Sequence, residues 1–199
     1  MVDVFKKLPA ECTPGISLAE RDSLIKYGTY VIPGGDSIET TRYEISSINA
    51  NDYLNYYFNF ITGQRAFIDF ELRKYYATPE SGIIVFSEYG GLPSNYSQHD
   101  LRLFRFDKNG FTEILNQKLL PKKISVTKFL KKETSDSIIR KIENYSNFCF
   151  NLETSDPNTL EFILDCKDVE GATKWVRYEV AEFSWNGKSF SIKYRNSID

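Results

Sequence analysis

The sequence predicts an α+β fold of antiparallel β-meanders with short helices on one face, arranged as a tandem repeat of a helix plus four strands. Three observations lead there. Segments rich in Tyr, Phe, Ile and Val recur from Ile38 to Leu115 and again from Asn147 to Arg195, split by Gly, Pro, Asn and Asp. Most connections between them are too short for the crossover that parallel neighbours need. Two short helical signals, at 18–27 and after Ser135, each precede a run of strands.

Residues 1–16 contain Pro9, Pro14 and Gly15 and read as an irregular arm. Ser17 and Glu20 form a capping-box pattern, and Gly28 suits the helix stop, which predicts a helix over 18–27. Pro33-Gly34-Gly35-Asp36 is a turn; as a phosphate loop it lacks the following helix and the lysine-serine tail. Strands are expected at about 38–46, 53–61, 65–76, 82–89, 100–106 and 111–115. Asn109-Gly110 marks a tight hairpin turn. The stretch from Asp107 resembles the start of a calcium loop, but Phe111 and Ile114 occupy positions where oxygen ligands would continue.

Residues 117–141 carry eight lysines and arginines against Glu133 and Asp136, a local charge of +6. Charge runs of this kind are ordinarily solvated linker and helix surface, with an anion-binding patch as the competing reading. Val126, Phe129 and Leu130 mark one short helix, and Ile138, Ile142 and Tyr145 mark another from near Ser135. Strands return at about 147–153, 159–166, 175–184 and 189–195, the last two joined at Asn186-Gly187.

An offset of 77 residues places Ile83 on Leu160, Val85 on Phe162, Leu103 on Val180 and Asn109-Gly110 on Asn186-Gly187. This divides the chain into halves 1–116 and 117–199 of one compact unit. The competing explanation is that meanders look alike.

Composition excludes several classes. With 41% hydrophobic residues, 15 Phe and 13 Tyr, the chain is not a disordered segment. Its 25 basic and 27 acidic residues leave a net charge of −2, which provides no global field for nucleic acid or anionic membrane. No apolar run reaches transmembrane length, and the residues after Met1 do not form a signal peptide. Cys12, Cys149 and Cys166 are too few for a disulfide framework, and alternation points Cys149 and Cys166 to opposite strand faces, so both are expected as free thiols, Cys166 the more buried.

Val4-Phe5 with Leu8-Pro9, Arg21-Asp22, Asn51-Asp52-Tyr53-Leu54 and the closing Phe183-Ser184-Trp185-Asn186-Gly187 resemble an uncharacterised exported family of Bacteroidales, a domain of unknown function. That resemblance implies a leader that is missing here and a periplasmic or secreted location, and it brings no known activity. The helix-plus-four-strand pattern is also similar to the tandem fold of β-lactamase inhibitor proteins, an analogy of fold that carries no function.

Chemistry-bearing constellations are sparse. His99 is the only histidine, sits beside Asp100 and lacks a nucleophile elbow, so it reads as a loop residue. No zinc pattern, cofactor motif or other metal signature is present. Trp175 and Trp185 read as packing or edge residues.

The face most open to a binding role lies on the hairpin 53–73. Leu54, Tyr56 and Phe58 must meet Leu72, Phe70 and Ile68, because a one-residue slip would send every side chain to the wrong face. A three-residue loop Thr62-Gly63-Gln64 satisfies that register. The other face then pairs Tyr53 with Arg73, Asn55 with Glu71 and Tyr57 with Asp69. Tyrosine beside amide, guanidinium and carboxylate is the chemistry interfaces prefer. These six residues are the candidate binding site, competing with an ordinary solvated sheet face. The expected function is a non-catalytic binding protein of the cell envelope that recognises a protein or glycan, without cofactor, nucleic acid or membrane span. The alternative is a hydrolase or lipid-handling protein with a pocket between sheet and helices, and a deep pocket rather than a shallow face would favour it.

Overall fold

A computed structural model describes residues 1–34, 40–49, 52–60, 66–92, 95–114, 119–121, 123–166 and 169–196. Parts of the Pro33–Asp36 turn, the loop Thr62-Gly63-Gln64, Lys118 and Lys122 lie outside these residues. Among the described residues the chain forms a mainly antiparallel sheet of eleven strands with three short α-helices.

The helices are α1 (Val2–Lys7), α2 (Leu18–Tyr27) and α3 (Asp136–Tyr145). The strands are β1 (Thr29–Ile32), β2 (Thr41–Asn49), β3 (Tyr53–Phe60), β4 (Phe67–Thr78), β5 (Ser81–Leu92), β6 (Asn95–Asp107), β7 (Gly110–Glu113), β8 (Asn147–Asn151), β9 (Thr159–Asp165), β10 (Val180–Trp185) and β11 (Phe190–Arg195). Strands β1 to β6 lie side by side in chain order, with β7 on the edge of β6, and β8 to β11 form a second consecutive meander. One parallel backbone bridge, Ser97 to Phe148, joins the two.

Capping chemistry builds α2. Ser17 Oγ accepts the Glu20 N–H, the Glu20 carboxylate accepts the Ser17 N–H, and Gly28 ends the helix at φ 73°, the left-handed region glycine enters without a Cβ penalty. Ser17→Ala should therefore cost about 1 kcal/mol of stability. Thermal unfolding of the variant would show a clear drop in midpoint, and an unchanged midpoint would mean that the cap contributes nothing.

The two faces of the β3–β6 region serve different cores. Leu54, Tyr56, Phe70, Leu72, Ile84, Phe86 and Phe104 lie under α1 and α2 with Phe5, Leu8 and Leu24. Tyr56 stacks on Phe70 at 4.6 Å, and Phe5 meets the Tyr56 ring edge-on at 4.9 Å. On the opposite face, Tyr53, Tyr75, Ile83, Val85, Leu101 and Leu103 share a core with Phe150, Leu160, Phe162 and Phe183 of the second meander. This core draws on both halves, 1–116 and 117–199.

Four expectations change. The N-terminal arm is ordered: α1 buries Val4 and Phe5, and Arg21 Nη1 donates to the Leu8 carbonyl at 2.6 Å and the Lys6 carbonyl at 3.2 Å, holding the end of α1 against α2. A six-residue helix is too short to show periodicity, and tertiary packing supplies its stability. The helices do not share one face: α1 and α2 serve the first core, whereas Ile138, Ile139 and Ile142 of α3 serve the second. The second meander occupies that face of the first, so α3 packs on the core the two enclose.

A tandem repeat of helix plus four strands is not shown: among the described residues α2 is followed by seven strands and α3 by four. The matched turns also differ. Asp107 pairs with Gly110 around two residues, whereas Trp185 pairs with Phe190 around four. Finally, the expected strand from 175 begins at Val180, because the N–H groups of Arg177 and Tyr178 both donate to the Phe129 carbonyl, at 2.7 and 3.0 Å. All three cysteines are free thiols, and Cys149 and Cys166 are equally shielded at 6% exposure.

Candidate functional site

The hairpin of β3 and β4 adopts the expected register: Tyr53 faces Arg73, Asn55 faces Glu71 and Tyr57 faces Asp69. The face itself is not open. Tyr53, Asn55, Glu71 and Arg73 are buried, with Glu71 only 3% exposed, while Tyr57 and Asp69 are half-buried. Leu152 and Thr154, just after the chain's own β8, bond Glu71 and Arg73.

The covering follows from how β8 leaves β6. Beyond the bridge at Ser97, β8 pairs with no further strand on that edge among the described residues, and its end lies against side chains of β5 and β4. Its backbone groups still need partners, since a buried unpaired N–H or carbonyl costs about 1–3 kcal/mol. Side chains of the first meander supply them in sequence along the edge. Gln98 Oε1 accepts the Phe150 N–H at 2.8 Å, and Ser87 Oγ donates to the Phe150 carbonyl at 3.3 Å. Glu71 Oε2 accepts the Leu152 N–H at 2.9 Å. Arg73 Nη1 donates to the Leu152 carbonyl, and to the carbonyl and hydroxyl of Thr154 at 3.3 and 3.2 Å. A polar comb thus stands in for a neighbouring strand.

Burial sets the electrostatics of this comb. Desolvation raises the Glu71 carboxyl to about 7, against hydrogen bonds from the Tyr53 hydroxyl (2.7 Å) and the Leu152 N–H that favour the anion. Asp69 rises to about 6, again through desolvation, with Asn55 and Tyr89 donating to it. Burial and the carboxylates of Glu71 and Asp69 push the Tyr89 phenol and the Cys149 thiol far above their ordinary values, so Cys149 is held as an unreactive thiol.

Sequence reasoning missed Ser87 and Gln98. Ser87 is legible in retrospect as a polar interruption on the Ile83–Val85 face. Gln98 was hidden by a β-bulge: Glu88 pairs with Asp100 and Tyr89 with Gln98, so His99 is the extra residue and the bulge re-aims Gln98 toward β8. His99 itself is exposed, its Nδ1 3.6 Å from a Glu88 oxygen. Trp185 is a packing residue, its indole N–H bonded to the Tyr76 carbonyl at 2.9 Å. Within the basic stretch, Lys131 and Lys141 are tied to the carbonyls of Lys174 and Glu170.

Where β6 and β8 part, a cleft of about 520 Å³ opens. Ile124, Val126, Phe148 and Phe162 give it apolar walls, and Ser97, Gln98, Lys123, Ser125 and Glu143 add polar groups. Two of these, Gln98 and Ser97, belong to the junction itself, so the cleft and the comb share a boundary. Its volume falls within the roughly 300–1,000 Å³ of small-molecule pockets, and apolar walls beside polar groups match their chemistry.

Among the described residues, no group of three or more His, Cys, Asp and Glu is placed to hold a metal ion, and no helix is long and apolar enough to cross a membrane. No protein-family model matches the chain, and neither curated proteins nor solved structures gave a match. The resemblances to the Bacteroidales family and to the β-lactamase inhibitor fold therefore rest on the quoted sequence features, and function is argued from the cleft.

Proposed function

We propose that this is a non-catalytic binding protein whose ligand is an amphipathic molecule seated in the β6–β8 cleft. One observation carries the reading: an apolar hollow of ligand size, edged by polar groups, lies where two meanders diverge between sheet and α3, which favours the pocket of the alternative over recognition through a sheet face, taken here as a binding pocket. This site replaces the hairpin face as the place of recognition, since four of that face's six residues are buried and two of them, Glu71 and Arg73, bond Leu152 and Thr154 just beyond β8. The location in the cell envelope is proposed on the sequence resemblance, and fractionation of the native cell is its test.

The cleft is tested by filling it. Ser125 is exposed and lines the cleft from a loop, so Ser125→Trp should occlude it without disturbing either core. Backbone amide shifts would be recorded for a panel of apolar probes bearing no charge, one charge or two. At least one probe is expected to shift Ile124, Phe148 and Glu143 together, and Ser125→Trp should weaken that response at least tenfold. Shifts that lie elsewhere, or survive Ser125→Trp unchanged, would overturn the reading.

A further inference from the structure

We infer that the cleft takes an apolar zwitterion of dipeptide size, its carboxylate at Lys123 and its ammonium at Glu143. The inference rests on the cleft being the binding site and names the ligand that its charges select.

Lys123 lies on the segment leading to Val126, and Glu143 lies on α3; both line the same hollow and both are exposed. Among the described residues neither side chain makes a hydrogen bond or an ion pair. Phe148 and Phe162 line the same hollow with apolar surface. A ligand body seated on those rings brings its ends beside both charged groups, where opposite charge is favoured and like charge is not. A neutral apolar ligand compensates neither. A fatty-acid anion would satisfy Lys123 but bring like charge to Glu143, and an alkylammonium would do the reverse. A molecule carrying both charges on an apolar body satisfies both. The Ser97 hydroxyl, at the one point where β6 and β8 pair, adds a neutral hydrogen-bonding group to the same hollow.

The pairs sit at a solvated rim, where each ion pair is worth up to about 1 kcal/mol, or about fivefold in affinity. The test is calorimetric titration of the full chain with phenylalanyl-leucine, its N-acetyl form, its C-terminal amide and dodecanoate. The free dipeptide should bind most tightly, and each blocked form should lose about fivefold. Lys123→Met should erase the difference between dipeptide and amide, and Glu143→Gln the difference between dipeptide and N-acetyl form. If dodecanoate binds more tightly, is blocked by Ser125→Trp, and neither charge variant moves the dipeptide, the zwitterion is wrong and the cleft stands. If no member of the panel binds in a Ser125→Trp-sensitive way, both the zwitterion and the cleft reading fail.

Discussion

Replacing Arg73 by methionine is expected to lower the unfolding free energy by about 2–4 kcal/mol, well beyond the effect of an ordinary surface arginine. Arg73 is 7% exposed and supplies the donor for the Leu152 and Thr154 carbonyls, at the point where the chain leaves β8. Methionine preserves much of the side-chain volume and deletes the donor, leaving the Leu152 carbonyl without that partner in a buried place. The loss should appear as a lower urea midpoint with an unchanged slope. Arg73→Lys should recover part of it, because an ammonium reaches one carbonyl but lacks the guanidinium fork. A loss below about 0.5 kcal/mol for Arg73→Met would mean that the comb does not hold the two meanders together.

Glu71 gives the second large effect, and its sign is the opposite of the usual carboxylate. A carboxyl whose folded value is raised binds its proton more tightly in the folded state, so its stabilisation is complete below the unfolded value and is lost as pH rises. For Glu71 that window runs from the ordinary 4.5 to about 7. The difference corresponds to about 3 kcal/mol. Asp69 acts with the same sign between 3.8 and about 6. The protein should therefore be more stable near pH 5 than near pH 8.

Protonated Glu71 can donate to the Tyr53 oxygen while still accepting from the Leu152 N–H, and glutamine reproduces that arrangement with its amide. Glu71→Gln should remove most of the decline above pH 5 and leave the variant more stable than the parent at pH 8. Urea unfolding across that range would decide it. A parent whose stability rises from pH 5 to pH 8 would show that Glu71 is buried as a well-compensated anion.

Much of the fold was legible because it is local. Alternation in Leu54–Phe60 and Ile68–Arg73 specified the β3–β4 register residue by residue, since any slip would expose one whole apolar set. The capping box and Gly28 marked both ends of α2 by hydrogen bonds that span three or four residues. The apolar spacing of Ile138 and Ile142 placed α3. What alternation also showed correctly is that Tyr53, Asn55, Glu71 and Arg73 share one side of the sheet.

Whether that side meets water, a partner or the chain itself was decided only in three dimensions. A polar strand face has the same sequence signature when it is solvated as when its groups bond the bare edge of another strand, because hydrogen-bonding capacity is a property of the residue and the identity of the partner is not. Here the partner is the chain just beyond β8, some 80 positions along, reached after a backbone bridge at Ser97. The cleft has no local signature at all, being a gap between Phe148, Phe162, Lys123 and Glu143 that exists because β8 diverges from β6. Sequence alone determined which faces exist and what chemistry they carry; tertiary structure decided which of them remain available to a ligand.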